Sequence, residues 1–413
     1  MKNNVIKLMM LVVAGFIGGK GEGQTAYITN AGAGTVSVIN VTTHTVTATI
    51  PVVYGAFGVS VSQDGSKVFI SNLDSHSISV LNTATNAVSA PVNVGNRPWT
   101  LVVIPNGTKV YVSNQGSNTV SVINTTTNMV SATIPVGNYP MGMAVSPDGS
   151  KVYVVNSSDA TVSTINTMAD TVLSIIHVGH FPYDNPFGVA VSPDGSKLYV
   201  ANDGFSNKVY VINTATNTVL DSIPVGNVPF GVAVSPNGNN VYVTNADDNT
   251  VSIINTNTNS VSATIPVGGY PQGISISPNG DKIYVANEYD NTVSVIDSLT
   301  NTVTDTINVG NEPVAFGNFI SVYDMTTGIP SIPPSAPSIT LYPNPTTTIL
   351  NIKSQWTIDN AQLTITDLLG NEVYKGILSN VNCQLSIDNW NSGIYFYEIR
   401  SNNSSERGKF VKE

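Results

Sequence analysis

The sequence has few charged residues, a single cysteine and no long hydrophobic run, and each shortage excludes a class of protein. Charged residues make up only 10% of the 413 residues, whereas about a quarter is typical of soluble domains. This argues against a disordered chain, which would be rich in charge, and against long surface helices, whose outer faces need Lys, Glu and Arg. Cys383 is the only cysteine, so no intramolecular disulfide and no cysteine-based metal cluster is expected.

Basic residues are also scarce, which bears on the partners. The chain has 16 Lys and Arg against 26 Asp and Glu, and residues 24–324 contain 7 basic and 18 acidic side chains. Nucleic acid binding needs clustered Lys and Arg to neutralise phosphates. We therefore expect no nucleic acid partner. No residue cluster has the spacing of metal ligands, so no metal and no cofactor is predicted.

The N-terminus has the pattern of a signal peptide. Lys2 and Lys7 precede an apolar run at residues 8–18, and small residues follow. The run is too short to span a bilayer but has the length of a signal-peptide core. We predict a signal peptide over residues 1–23 and a mature chain that does not span the membrane; a buried strand is the alternative.

What the chain has in abundance is Asn, Thr and Ser, together with 34 Gly and 23 Pro, a composition typical of many short strands and turns. An aromatic strand that ends in Asn recurs with spacings of 42, 42, 42, 46, 43 and 42 residues. The repeated asparagines are Asn30, Asn72, Asn114, Asn156, Asn202, Asn245 and Asn287. A group needed in every repeat is structural rather than catalytic, so we interpret them as strand-end hydrogen-bonding residues.

Each repeat contains four segments of alternating polarity, and four strands in about 42 residues are the period of a propeller blade. The first repeat lacks its small-residue strand, and residues 313–320 supply one at the far end. The sequence therefore predicts an all-β, seven-bladed β-propeller over residues 24–324, closed by three N-terminal strands and one C-terminal strand. Asp-Gly and Asn-Gly pairs in the repeats, such as residues 64–65 and 148–149, predict hairpin turns with positive φ.

The repeat resembles a known family. Tyr242-Val243-Thr244-Asn245 and the run at residues 249–255 are similar to the repeat of the YVTN β-propeller proteins, which include surface-layer-like proteins. The resemblance covers all seven repeats and implies the same fold. It does not imply one activity, because propellers serve in binding, scaffolding and catalysis.

After a Pro-rich linker at residues 325–338 the 42-residue period ends, and residues 339–413 show short alternating segments that predict a small Ig-like β-sandwich. This tail resembles the type A C-terminal sorting domain of type IX secretion substrates from Bacteroidetes. The residues that carry the resemblance include Tyr342, Pro343, Asn344, Pro345, Gly393, Lys409, Phe410, Val411 and Lys412. It implies the type IX machinery as a partner and an extracellular or cell-surface destination, with the cargo released or attached to surface polysaccharide. An ordinary adhesive sandwich is the alternative.

The strongest candidate for a binding site is the propeller face opposite the Asp-Gly turns, because the repeats differ most there. Arg97, Trp99, Tyr139 and Tyr270 fall on this face, and aromatic side chains beside polar groups are typical of sugar or peptide sites. The 46- and 43-residue spacings arise from insertions that flank one blade on this face. They add His180, Phe181, Tyr183, Asp184 and Phe205 to the candidate ligand-binding residues.

The lysines that follow the turns, at 67, 109, 151, 197 and 282, are candidates for a basic ring that binds an anionic partner, but a solvated rim is the preferred interpretation. No catalytic residue is predicted, because the four histidines do not come together and no nucleophile stands out. We therefore expect a non-enzymatic binding or scaffold propeller whose variable face holds a glycan or an extracellular protein. The alternatives are an extracellular carbohydrate-active lyase or hydrolase with carboxylates near the channel, and a structural surface-layer component.

Overall fold

The computed structural model describes residues 24–179, 184–204, 206–321, 339–342, 346, 348–354, 361–367, 371–378, 382–401 and 404–412. The chain divides into two units, Met1–Gly328 and Ile329–Glu413. Antiparallel strands account for nearly all of the regular structure in the described part of both units. The exception is one 3-10 turn at Ser157–Asp159.

The first unit consists of seven sheets, which are numbered here as blades 1 to 7. Blade 1 contains β1 Thr25–Asn30, β2 Thr35–Asn40 and β3 Thr45–Pro51; blade 2 contains β4 Ala56–Val61, β5 Lys67–Asn72, β6 Ser77–Asn82 and β7 Val92–Asn93; blade 3 contains β8 Pro98–Val103, β9 Lys109–Asn114, β10 Thr119–Asn124 and β11 Met129–Pro135; blade 4 contains β12 Pro140–Val145, β13 Lys151–Asn156, β14 Thr161–Asn166 and β15 Thr171–His177; blade 5 contains β16 Asp184–Val191, β17 Lys197–Gly204, β18 Lys208–Asn213 and β19 Thr218–Pro224; blade 6 contains β20 Pro229–Val234, β21 Asn240–Asn245, β22 Thr250–Asn255 and β23 Ser260–Pro266; blade 7 contains β24 Pro271–Ile276, β25 Lys282–Asn287, β26 Thr292–Asp297 and β27 Thr302–Asn308.

Segment 313–321 completes blade 1. The Tyr27 N–H donates to the Phe319 carbonyl at 2.9 Å, and the Val314 N–H donates to the Thr29 carbonyl at 3.0 Å. The segment therefore lies antiparallel to β1 as its fourth strand, and the first blade is built from both ends of the unit. This confirms the predicted seven-bladed propeller, in which three N-terminal strands and one C-terminal strand together form the closing blade.

The core lies between the blades. The aromatic residue of the second strand is fully buried in six blades, as Phe69, Tyr111, Tyr153, Tyr199, Tyr242 and Tyr284. Burial of one such side chain stabilises the fold by about 1.5–3 kcal/mol. The outer strands alternate between exposed and half-buried residues, as in β3, which explains why Thr and Ser fill their exposed positions.

The strand-end asparagines have the structural role inferred from their repetition. Each is completely buried, and in six blades the side-chain amide donates to two hydroxyls on the third strand of the same blade. The Asn156 Nδ2, for example, lies 3.0 Å from Thr161 Oγ1 and 2.9 Å from Ser163 Oγ. Hydrogen bonds to otherwise buried polar groups fix the hairpin that joins the two strands.

The turns between the first and second strands require glycine. Gly149 has φ +71° and Gly280 has φ +81°, values that a residue with a Cβ adopts only with strain. Gly149 also lies against the ring of Pro105 in the preceding blade, 3.0 Å from the position that a Cβ would take. The Asp-Gly and Asn-Gly pairs therefore form the predicted turns, and at Gly149 the turn also packs against the neighbouring blade.

The second unit is a small β-sandwich, as predicted. One sheet has the order β28-β29-β32 and the other β31-β30-β33-β34. Their strands are β28 Ile339–Tyr342, β29 Ile349–Ser354, β30 Ala361–Thr366, β31 Glu372–Leu378, β32 Asn382–Ser386, β33 Gly393–Ser401 and β34 Ser404–Lys412. Leu350 and Ile352 of the first sheet pack with Leu363, Ile365 and Ile399 of the second in one buried cluster.

Candidate functional site

The propeller presents two faces. The turn face carries the Asp-Gly and Asn-Gly turns, and the loop face carries the hairpins that follow the strand-end asparagines together with the loops that precede each inner strand. On the loop face, a residue with left-handed backbone precedes the inner strand in several blades. Arg97, Tyr139, Val228, Tyr270 and Glu312 occupy this position, with φ between +52° and +58°. The predicted site residues Arg97, Tyr139 and Tyr270 therefore occupy equivalent positions in three blades and differ only in their side chains.

The backbone of this position is held from the preceding blade. The Tyr139 N–H donates to Asn118 Oδ1 at 3.0 Å, and the Tyr270 N–H donates to Asn249 Oδ1 at 2.8 Å. In blade 3, His76 Nδ1 accepts the Arg97 N–H at 3.0 Å in place of the asparagine. The side chains at these positions are thus presented by a fixed backbone.

Tyr270 forms a stacked pair with Tyr289. The two rings have centroids 4.4 Å apart and an interplanar angle of 9°. Tyr270 is half-buried, whereas 68% of Tyr289 is exposed, so one side of the Tyr289 ring rests on Tyr270 and the other remains open. Tyr289 is not among the residues predicted from the sequence. Its signal was an aromatic residue two positions after the strand-end Asn, where the other repeats have Gly, Ser or Asp.

Polar groups lie beside this pair. The Gln272 amide donates to the Glu288 carboxylate. Burial raises the pKa of Glu288 above its usual range, the Gln272 bond partly opposes this, and the charge of Glu312 adds to it. Burial also raises the pKa of Tyr270, with smaller contributions from Tyr289 and nearby carboxylates. Gln272 is buried, so the arrangement offers an aromatic surface with the half-buried Glu288 carboxylate at its edge.

Tyr139 and Arg97 lie on other parts of the same face. Tyr139 is 43% exposed, and no described residue stacks on it. Arg97 is exposed, and its Nε donates to the buried Gln115 Oε1 at 2.9 Å. Both side chains are accessible to a ligand, but no described contact groups them with the Tyr270–Tyr289 pair.

Trp99 belongs to an aromatic plug formed by Phe57, Trp99, Phe187, Phe230 and Phe316. The Trp99 and Phe57 centroids are 4.2 Å apart, and the rings of Phe57 and Phe316 stack at 5.6 Å. Phe230 joins the plug through Phe187 at 4.8 Å and Phe316 at 6.2 Å. Four of the five, all but Trp99, directly precede a glycine near the loop-face start of an inner strand. Phe316 also lines the axial cavity, so the plug lies at the loop-face end of the channel. Trp99 therefore packs against other rings.

Asp184 is buried, with 7% exposure. Its Oδ1 accepts hydrogen bonds from Asn202 Nδ2 at 2.6 Å and from Ser206 Oγ at 2.7 Å. The insertions on either side extend the pairing of β16 with β17, so that Asp184 lies opposite Gly204. The two insertions thus meet on one blade and one face. The carboxylate itself supports the scaffold, and its contact with a ligand stays a prediction.

The other predicted residues of this loop pair, His180, Phe181, Tyr183 and Phe205, lie outside the described residues. Their roles stay predictions. In the part of the chain that the structure describes, no group of three or more His, Cys, Asp or Glu side chains is arranged to hold a metal ion.

On the turn face, the lysines that follow the turns contact neighbouring strands. Lys109 Nζ lies 2.8 Å from Asp170 Oδ2 of the next blade, and Lys282 Nζ lies 2.8 Å from Asp297 Oδ2. Lys67 Nζ donates to the Thr125 carbonyl at 2.6 Å. These contacts support the interpretation of the lysines as part of a rim.

In the second unit, the predicted sorting residues meet at the last strand. Gly393 pairs with Lys412 at the end of the β33–β34 ladder, and Thr346, which follows the Tyr342 motif, forms a bridge to Lys412. The Thr346 N–H donates to the Val411 carbonyl at 2.9 Å. Pro343, Asn344 and Pro345 lie outside the described residues. Sequence blocks about 65 residues apart therefore occupy one edge of the sandwich.

Seven radial sheets and an appended sandwich define a β-propeller protein with a separate C-terminal domain. Residues 340–413 match the family model described as a secretion system C-terminal sorting domain. Residues 235–320 match a YNCE-like β-propeller model, and residues 126–264 match the model of the lactonase 7-bladed β-propeller. The chain is therefore a β-propeller protein that carries a type IX sorting tail, and it is secreted to the cell surface or the extracellular space. No helix among the described residues is long and apolar enough to cross a membrane.

Solved structures show the same fold at low sequence identity. Hydrazine synthase from Kuenenia stuttgartiensis is 24% identical, with 63% of this chain and 88% of that chain covered and a TM-score of 0.58. A functionally unknown protein from Desulfotomaculum acetoxidans is 17% identical, with coverages of 71% and 99% and a TM-score of 0.62. A putative 6-phosphogluconolactonase from Bacteroides uniformis is 19% identical, with coverages of 71% and 98% and a TM-score of 0.60. Among curated proteins, none matches the chain.

Proposed function

We propose that this protein is a non-enzymatic, exported binding propeller that holds an extracellular or cell-surface glycan on its loop face. The observation that carries the proposal is the open ring of Tyr289, stacked on Tyr270 and flanked by Gln272 and Glu288. Aromatic rings beside a few oriented polar groups are a common arrangement in ligand sites. The apolar face of a sugar ring would stack on Tyr289, and its hydroxyls would bond the Glu288 carboxylate, which the buried Gln272 amide holds in place.

The loops that carry the pair are fixed before a ligand arrives. The Tyr289 N–H donates to the Gly269 carbonyl at 3.1 Å, and the Gly269 N–H donates to Asp290 Oδ2 at 2.7 Å. A surface that is already ordered loses little conformational entropy on binding. The ordered loops therefore support a binding role for this face, because they do not have to fold around a ligand.

The test is a binding screen of the full chain against a panel of purified polysaccharides by isothermal titration calorimetry. For a polysaccharide that binds, Tyr289→Ala should weaken affinity about tenfold or more, because the stacking surface is lost. Tyr54→Ala is the matched control, since Tyr54 is a 63% exposed tyrosine of the same face in another blade, and its change should be within twofold. Equal losses in both variants would contradict the site. If no polysaccharide binds and the full chain self-associates, the structural surface-layer alternative is favoured; if an extracellular protein binds and the loss tracks Tyr289, the ligand is a protein.

A second candidate function is hydrolysis of an extracellular carbohydrate derivative. It is supported by the match of residues 126–264 to the lactonase propeller and by Glu288, whose raised pKa and proximity to Glu312 suit an acid or base. The measurement is turnover of a sugar lactone by the full chain, compared with Glu288→Gln. Turnover that depends on Glu288 would replace the binding proposal, whereas binding without turnover would support it.

A further inference from the structure

The axis of the propeller contains a cavity that the loop-face site does not use. The cavity has a volume of about 290 Å³ and lies between the inner strands of blades 3 to 7 and the closing segment of blade 1. Its loop-face end narrows where the inner strands approach each other, since a Cβ on Gly142 would lie 2.1 Å from the Phe187 carbonyl. Phe316 of the aromatic plug lines this end, and Pro236 of a turn lines the other. The cavity is therefore a well that extends toward the turn face.

The walls of the well are mainly apolar and remain accessible; the polar side chains of Ser275 and Asn318 also line it and hydrogen-bond to each other at 3.3 Å. Its aliphatic lining includes Val145, Ala190, Val191, Ala233 and Ile276, and all five are half-buried although they lie in central strands of the fold. The adjacent strand and the neighbouring blades cover their other sides, so the exposed area faces the axis. Water in such a space finds few hydrogen-bond partners, and an apolar molecule that displaces it gains the hydrophobic free energy of the buried surface.

One polar group in the wall has no partner. Thr100 lines the well and is buried, and its Oγ1 makes no hydrogen bond to any described residue. Its position in the inner strand corresponds to Gly142 of the next blade, which places it toward the narrow end. A buried hydroxyl without a partner costs about 1–3 kcal/mol, and a ligand with one hydrogen-bonding group at the tip of an apolar chain would recover this.

The well offers no opposite charge to an anionic head group, because none of its lining residues is charged and a buried carboxylate without a partner is costly. Three of the turns that follow the inner strands carry Asp64, Asp148 and Asp194, which accept hydrogen bonds from neighbouring serines. Lysines follow these three turns at 67, 151 and 197, and Lys67 Nζ donates to the Thr125 carbonyl of the next blade, so the turn face carries both signs of charge. We propose that the axial well binds a long-chain, uncharged amphiphile, such as an aliphatic alcohol, with its chain along the axis and its hydroxyl at Thr100.

The test uses the full chain, with 1-decanol and decanoate as probes below their aggregation limits, followed by thermal shift and calorimetry at pH 7. A ligand that binds only the folded state raises the melting temperature. 1-Decanol should do so, and decanoate should bind at least tenfold more weakly because of its charge. The double variant Ala190→Leu, Ala233→Leu fills the well and should abolish the shift. Thr264→Leu adds an apolar side chain to an exposed site on an outer strand and should retain it.

Thr100→Val is a second variant, which removes the hydroxyl but keeps the volume of the well. It tests the proposal even if the filled variant does not fold. It should weaken 1-decanol binding about tenfold, the loss expected for one buried hydrogen bond. A shift of equal size in the filled variant, no shift in the native chain, or equal binding of decanoate would overturn the proposal. None of these outcomes depends on the loop face, so this proposal and the glycan proposal fail separately.

Discussion

The buried carboxylate of Asp184 accepts a hydrogen bond from Asn202 at 2.6 Å, and this bond replaces one that other blades make to hydroxyls. In blade 4, Asn156 donates to the hydroxyls five and seven residues further along the chain. In blade 5 the one-residue insertion shifts the equivalent strand positions to Lys208 and Tyr210, so neither is a Ser or Thr. Ser206 and Asp184 supply the two missing acceptors. The two insertions therefore compensate for each other.

Removal of this acceptor should destabilise the propeller. Asp184→Ala removes the acceptor of the Ser206 hydroxyl and one of the two acceptors of Asn202, and the free energy of unfolding should fall by about 2–3 kcal/mol. Asp203→Ala changes a half-buried carboxylate in the same loop pair and should change it by no more than about 0.5 kcal/mol. Urea denaturation of both variants measures the difference. Similar losses would show that the loop, and not the Asp184 bond, carries the effect.

The case of Asp184 shows how far the sequence could predict the site. Spacings of 46 and 43 residues identified the irregular blade and placed both insertions on one face. They did not show that Asp184 would turn inward, because its partner Asn202 is 18 residues away and the pairing depends on the extended β16–β17 ladder. Trp99 was predicted as a ligand-binding residue, and its packing could not be foreseen for a similar reason. Its contacts with Phe57 and Phe316 join different blades. The fold itself was predictable because the repeat encodes it seven times.

A hydroxyl that bridges two inner strands gives a second prediction. Ser113 Oγ accepts the Thr100 N–H at 3.1 Å and donates to the Met141 carbonyl of the next blade at 2.7 Å. Ser113→Ala should lower the free energy of unfolding by about 1–2 kcal/mol, because two buried backbone groups lose their partner. Thr133→Ala, at an exposed position on the outer strand of the same blade, is the control and should be nearly neutral. Chemical denaturation curves of the two variants decide, and a neutral Ser113→Ala would contradict the bridge.

The ion pair between Lys109 and Asp170 should couple blades 3 and 4. Both side chains are largely buried, and Tyr111 also donates to Asp170, which together with burial raises the pKa of the phenol. A double-mutant cycle with Lys109→Met and Asp170→Asn should give a coupling energy of about 1–2 kcal/mol. The Lys282–Asp297 pair, at the same 2.8 Å distance but within one blade, provides a parallel cycle. Only the first pair should also alter the unfolding cooperativity between blades, measured by the denaturant m-value.

The turn aspartates predict the response to acid. Hydrogen bonds from Ser146 and Ser150 lower the pKa of Asp148 to about 2, and those from Ser192 and Ser196 do the same for Asp194. A folded-state pKa below the unfolded value means that the ionised form stabilises the fold above about pH 4, and that this contribution is lost as the pH falls toward 2. The urea midpoint should therefore decrease between pH 5 and pH 2.

A double variant isolates this contribution. Asp148→Asn with Asp194→Asn should be less stable than the native chain at pH 5 and should lose less stability on acidification. Asp247→Asn, an exposed aspartate of the loop face, should leave the acid response unchanged. Parallel pH profiles for the native chain and the double variant would show that other carboxylates govern acid unfolding.

Glu288 should make glycan binding on the loop face depend on pH. Burial raises its pKa above the usual value for glutamate, with a further contribution from Glu312. As the pH is lowered from 8 into the acidic range, this carboxylate takes up a proton earlier than an exposed glutamate and becomes a weaker acceptor for a sugar hydroxyl. Affinity measured by calorimetry should therefore decrease over this interval. Glu288→Gln cannot titrate, so its affinity should be lower at pH 8 and nearly constant with pH, while Tyr54→Ala should follow the native profile. A native profile as flat as that of Glu288→Gln would place the sugar hydroxyls away from this carboxylate and leave stacking on Tyr289 as the main source of affinity.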